Sequence, residues 1–92
     1  MINSFRHKGL KLLFESGERR GVPAHMAGRI VRRLDAINAA TAPTDLNLPG
    51  FGLHELKGDR KGTWSLRVSG NYRITFSFRK GDAFDVHLED YH

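Results

Sequence analysis

The hydrophobic period of this chain changes midway, and that change decides what the chain folds into. Up to about residue 40, apolar side chains recur every three or four positions; from residue 64 onward they recur every second one. In the first half, Leu10, Leu13 and Phe14 fall at helical spacing between Lys8 and about Ser16, and Gly17 stands where a helix C-cap belongs. Pro23 suits the first turn of a second helix running from about residue 23 to about 40. Met26, Ile30, Leu34 and Ile37 form one stripe of that helix, and Arg29, Arg32 and Arg33 occupy the rest of its circumference. Residues 2–6 are predicted to form a short edge strand.

Thr41 to Gly52 holds two prolines and two glycines, so it is predicted to be a loop where the architecture changes. Beyond it, Trp64, Leu66 and Val68 alternate with polar residues, and Ser69-Gly70-Asn71 supplies a turn. Tyr72, Ile74, Phe76 and Phe78 resume the alternation. After a second turn at Arg79-Lys80-Gly81-Asp82, it continues through Phe84, Val86 and Leu88. The expected fold is α+β: N-terminal helices packed on one face of a small antiparallel β-sheet, here a three-stranded meander. At 92 residues there is room for one core, so residues 1–92 are taken as a single domain.

Charge narrows the function. The net charge is +5, and it is segregated: eight Lys or Arg fall in residues 1–33 and seven in 57–80, with none between. Two basic segments bordered by acidic ones suit a phosphate backbone, with carboxylates at hand for proton transfer. There is no cysteine, which excludes a disulfide scaffold and a Cys-type zinc site. The opening residues lack the apolar run of a signal peptide, and the longest strongly apolar run, Leu12-Leu13-Phe14, is far too short to span a membrane. The expectation is a soluble cytoplasmic protein with no membrane contact.

If Leu66, Ile74, Phe76, Val86 and Leu88 face the core, then Ser65, Arg67, Arg73, Thr75, Ser77, Asp85, His87 and Glu89 face away. Arg67 and Arg73 should then lie close across the first hairpin. They would repel unless an anion sits between them, or unless they are solvated or paired with Asp85 or Glu89. The segment His54 to Gly62 has the glycines and mixed charge of a tight turn and matches no Walker pattern. The final residues, Asp90-Tyr91-His92, continue a core strand and carry three groups able to move protons. Asp85/His87 and Asp90/His92 also offer metal-ligand types, but at a nonspecific spacing, so no metal is expected.

Taken together, Leu56-Lys57-Gly58-Asp59-Arg60, Gly62-Thr63-Trp64-Ser65-Leu66-Arg67-Val68, Asn71-Tyr72-Arg73-Ile74-Thr75-Phe76 and the terminal Asp90-Tyr91-His92 resemble the HigB toxins. These form a branch of the RelE/ParE superfamily of bacterial toxin–antitoxin proteins. The resemblance spans essentially the whole chain and implies a RelE-like, microbial-RNase-like fold. It also implies a ribosome-dependent endoribonuclease that cuts messenger RNA in the decoding site and arrests translation. The family's active-site roles map onto His54, Lys57, Arg73, Asp90, Tyr91 and His92. Metal-free RNA cleavage needs a base for the 2′-hydroxyl, an acid for the departing 5′-oxygen and cations on the phosphorane. In that scheme His92 does acid/base work with Asp90 orienting it or sharing the transfer, and Tyr91 stacks on a base or positions the phosphate. Arg73 and Lys57 stabilise charge, Arg67 supports them, and His54 orients the 2′-hydroxyl or closes its loop. Arg29, Arg32 and Arg33 are assigned to RNA contact, because neither Arg29 nor Arg32 has an acidic i+4 partner and Arg33 is followed there by Ile37. No cofactor is implied. The implied partners are the 70S ribosome with mRNA and a HigA-like helix-turn-helix antitoxin, through which alone the toxin would reach operator DNA.

Two other functions remain compatible with the fold. A ParE-like toxin acting on DNA gyrase would need neither the terminal Asp-Tyr-His nor paired arginines. A non-catalytic RNA-binding module explains the charge but not the terminus, and Tyr72, Phe76 and Phe78 look like core residues rather than stacking platforms.

Overall fold

Helix α1 spans Lys8–Ser16 and is closed at both ends by its own sequence. The His7 ring nitrogen accepts the Leu10 N–H at 3.1 Å, and Gly17 takes φ +73° and returns its N–H to the Leu12 and Leu13 carbonyls. A 3₁₀ turn at Ala24–Met26 leads into α2, Ala27–Ala39, so Pro23 precedes the turn and the α-helix proper starts later than the periodicity suggested. Helix α1 packs closely on the turn that follows it, where Gly9 faces Gly21. A methyl group on Gly9 would lie 2.2 Å from the Gly21 carbonyl oxygen, so only hydrogen fits there.

The computed structural model describes residues 1–90. Its sheet has four antiparallel strands in chain order: β1 His54–Glu55, β2 Thr63–Arg67, β3 Tyr72–Arg79 and β4 Asp82–Asp90. The meander is therefore one strand larger than expected, because His54 and Glu55 pair with Ser65 and Trp64 instead of belonging to a turn. Residues 2–6 do not form a full strand. Ile2 and Phe5 make single parallel bridges to Ala83 and Val86, and the Asn3 and Arg6 N–H groups donate to the same two carbonyls at 2.8 Å. This short segment covers the outer edge of β4.

The stripe Met26, Ile30, Leu34 and Ile37 is fully buried, as are Leu10, Leu66, Ile74 and Val86, with Phe76 almost so. They form one core between the helices and the sheet. Each such side chain stabilises by about 1.5–3 kcal/mol, which fixes both helices to one sheet face. The alternation Phe84, Val86, Leu88 breaks at its first member. A bulge in β4 shifts the register from Thr75 opposite His87 to Ser77 opposite Phe84, and Asp85 at the bulge has φ +55°. Ala83 consequently takes the core position, while Phe84 is only partly buried and stacks under the Arg79 guanidinium at 4.0 Å. Thr41 to Gly52 is also better anchored than its composition suggested. It contains a 3₁₀ turn, Pro43–Leu46, where the Asp45 carboxylate accepts from the Thr41 and Ala42 amides and Leu46 plugs the core.

Candidate active site

The sheet face turned away from the helices carries two cross-strand rows. Arg67, Arg73 and Glu89 oppose one another across β2, β3 and β4; one step along, His54, Ser65, Thr75 and His87 run across all four strands. In β2, β3 and β4 strand alternation delivers this arrangement, because each of these residues alternates with a core neighbour, and His54 joins the row through the pairing of β1 with β2.

Arg67 and Arg73 are direct cross-strand partners, as the alternation predicted. Arg67 is exposed, whereas Arg73 is half-buried and held. Arg73 Nε donates to Ser65 Oγ at 3.0 Å, and one terminal nitrogen donates to the Gly52 carbonyl at 3.0 Å. Holding a guanidinium by a fully buried hydroxyl and a carbonyl, neither of them anionic, orients it without cancelling its charge.

Neither Asp85 nor Glu89 neutralises this pair. Glu89 stands opposite Arg73 but is gripped by Arg60, both terminal nitrogens of which donate to the two carboxylate oxygens, and by Thr75 Oγ1 at 2.7 Å. The Arg60 bonds, helped by Thr75, hold its carboxyl far below the usual range, at about 2. A carboxylate this acidic stays ionised and transfers no proton at neutral pH. It fixes the neighbourhood instead. Arg73 lies over Ser65, and Glu89 with Arg60 lies over Thr75, so both hydroxyl residues are buried on the face expected to be open.

The other candidate residues divide. His54 is exposed on β1 directly opposite Ser65, so it stands beside the group that orients Arg73. Lys57 is exposed two residues beyond β1, at the end of that strand away from the Arg67–Arg73 row, and lines a recess of about 310 Å³ with Glu55, Leu56, Gly58 and Lys61. Asp90 pairs opposite Tyr72, one step past the Arg73–Glu89 pair and of the opposite strand parity. Tyr91 and His92 lie outside the described residues.

The basic face of α2 needs one correction. Arg29 and Arg32 are exposed, but Arg33 is buried and is not available to RNA. Its Nε donates to the Arg67 carbonyl at 2.7 Å, its terminal nitrogens to the Arg29 and Gly50 carbonyls at 3.2 Å each, and its guanidinium lies 4.6 Å from the Phe51 ring centre. Burial and its two cationic neighbours, Arg32 and Arg29, lower its pKa. Arg33 therefore ties the loop at Gly50 to the strand end that carries Arg67. The spacing already signalled this, since Arg33 lies three residues after Ile30 and four before Ile37, on the apolar stripe.

Arg60 is the main functional-face residue that sequence reasoning left out, and no local signal marks it: its partner is 29 positions away. His87 also acquires a setting the pattern did not foretell. Its ring centre lies 5.5 Å from that of His7, its Nδ1 is buried without a hydrogen-bond partner, and burial, then the Arg6 charge, lowers its pKa. Among the described residues, no three His, Asp or Glu side chains gather as a metal site would require, and no helix is long and apolar enough to cross a membrane.

Residues 3–92 match the family of HigB-like toxins, described as RelE-like toxins of the type II toxin–antitoxin system HigB. Over all 92 residues, covering both chains completely, the protein is 56% identical to Endoribonuclease HigB of Proteus vulgaris. It is 33% identical over 91 residues to Toxin HigB-1 of Vibrio cholerae serotype O1, spanning 97% of this chain and 96% of that one. The two-helix, four-strand architecture of the described residues is consistent with a RelE-like toxin. The chain belongs to the HigB-like, RelE-like toxins of type II toxin–antitoxin systems.

Proposed function

We propose that this toxin is an endoribonuclease that cuts messenger RNA in the ribosomal decoding site, using the RNA's own 2′-hydroxyl and no metal ion. The observation that carries this reading is the Arg67–Arg73 pair: two cations opposed on one sheet face, one of them aimed by Ser65 and the Gly52 carbonyl, with the carboxylate opposite it, Glu89, bound by Arg60. Such a pair is suited to the extra negative charge of a pentavalent phosphorane. The 56% identity to a protein named as an endoribonuclease supports the same chemistry.

In this mechanism Arg73 contacts the phosphorane and Arg67 assists it. His54, His92 and Asp90 form the acid/base set, with Tyr91 placing the nucleotide. Lys57 adds positive charge from the end of β1. Arg29 and Arg32, on the exposed side of α2, contact RNA. The protein acts in the cytoplasm, where its partners are the 70S ribosome with its mRNA and a helix-turn-helix antitoxin that carries the operator-binding function.

The test is primer-extension mapping of one mRNA on purified ribosomes, with free RNA alongside, for the intact protein, Arg73→Ala and His92→Ala. Cuts within translated codons, present only with ribosomes and weakened at least about a hundredfold in each variant, are expected. A 5′-hydroxyl on the downstream fragment, and resistance of a message carrying one 2′-deoxy residue at the cut, would establish the 2′-hydroxyl route. Downstream 5′-phosphates would refute it. Absence of any cut with the intact protein would refute the nuclease.

A further inference from the structure

On the same sheet face, beside the arginine pair, lies a cleft of about 350 Å³ lined by Arg6, Arg60, Thr63, Thr75, Ser77 and Asp85 together with Phe76. Its floor is β3, its far wall is the N-terminal segment held to β4, and its near wall is the 3₁₀ turn Gly58–Arg60 and the start of β2. Opposite charges line it without meeting. The Arg6 guanidinium makes no hydrogen bond or ion pair among the described residues, and neither does the Asp85 carboxylate. Asp85 is held in position by its backbone, at the positive φ of the bulge and with its N–H donated to Ser4 Oγ at 2.9 Å. A cleft with one unpaired cation, one unpaired carboxylate and hydroxyls between them fits a ligand that is anionic at one end and hydrogen-bond donating at the other.

We infer that this cleft is a ribonucleotide subsite, in which Arg6 takes a phosphate and Asp85 accepts a hydrogen bond from the ribose 2′-hydroxyl. The inference rests on the proposed RNA substrate and adds a place for the nucleotide adjoining the one at Arg73. Continuity supports it: Thr75, on the cleft floor, is two residues from Arg73 on the same strand and face, about 7 Å along the strand. The Thr63 and Ser77 hydroxyls border the remaining space for further polar contacts. The 2′-hydroxyl is the group by which a protein distinguishes RNA from DNA, and an unpaired carboxylate on a held backbone is a suitable acceptor for it.

The test is binding rather than cleavage, so its result is independent of whether the protein is a nuclease. Amide chemical shifts of the intact protein would be followed by NMR while adding adenosine 5′-monophosphate, its 2′-deoxy analogue or inorganic phosphate. Arg6→Gln and Asp85→Asn would be run in parallel. Both variants keep the backbone bonds that hold these residues, and an unchanged spectrum without ligand would confirm their fold. The ribonucleotide is expected to shift Thr63, Thr75, Ser77 and Asp85, and Arg6→Gln to weaken it about tenfold. Asp85→Asn should bring the ribose and deoxyribose forms to within about twofold of each other. Three outcomes would overturn the inference: shifts confined to Arg67 and Arg73, no effect of Arg6→Gln, or inorganic phosphate binding as well as the nucleotide with Asp85→Asn neutral.

Discussion

Replacing Glu89 with Gln should destabilise the protein near neutral pH and do progressively less as the solution is acidified. Glu89 is ionised in the fold down to about pH 2, against an ordinary value of 4.5, because Arg60 grips it and Thr75 donates to it. Each unit is worth about 1.4 kcal/mol, so the full shift would stabilise the fold by about 3 kcal/mol. The Arg60 side chain is 40% exposed, so water and salt screen the pair, and about 2 kcal/mol is the expected value. Since the folded pKa is the lower one, this stabilisation is present in full above the unfolded value. It disappears as the pH falls from about 4.5 through about 2. Gln has the shape of protonated Glu, so the variant isolates the charge. Urea unfolding of both proteins at pH 7, 5, 4 and 3 should show a gap of about 2 kcal/mol at pH 7. For a domain of this size that corresponds to a melting point lower by about 10 °C. By pH 3 the gap should be less than about half its neutral value. A gap of equal size at pH 7 and pH 3 would refute the argument, because it would trace to packing rather than charge. No gap at pH 7 would show that solvent screens the pair completely.

Three further outcomes follow from particular contacts. Arg33→Ala should cost about 3 kcal/mol in equilibrium unfolding, since it leaves the Arg67 and Gly50 carbonyls without their donor and removes the stack on Phe51; an effect below about 1 kcal/mol would return Arg33 to a solvated face. Gly9→Ala should destabilise by about 1–3 kcal/mol despite the better helix propensity of alanine, because its methyl meets the Gly21 backbone; a more stable variant in thermal melts would show that the turn at Gly21 gives way freely. His7 and His87 both have lowered pKa values, chiefly through burial, so the unfolded chain binds more protons and stability should fall as the pH drops below about 6.5. His7→Ser, which keeps a helix cap, combined with His87→Gln should flatten that loss between pH 6.5 and 5; an unchanged slope in denaturant titrations would place its origin elsewhere.

The site was legible in the sequence wherever it depends on strand period, and illegible wherever it depends on distant partners. Alternation alone put Arg67 opposite Arg73 and set both against the core residues Leu66 and Ile74. It said nothing of Ser65 and Gly52 as the groups that aim Arg73, because those bonds form between separate segments brought together by the sheet. For the same reason the carboxylate facing Arg73 proved to belong to Arg60.

By itself the sequence determined the helix that ends at Gly17, the stripe from Met26 to Ile37, the hairpin at Ser69 to Asn71 and the family to which the chain belongs. These are local matters: a period, a cap or a turn is set by residues within a few positions of one another. Tertiary structure decided the rest. It made a strand of His54 and Glu55 by offering them an edge, exchanged Phe84 for Ala83 in the core through a bulge, and buried Arg33 against carbonyls from two other segments. An unpaired edge, an extra residue in one strand and a buried cation's need for acceptors are resolved only when distant segments meet, and no local period encodes them.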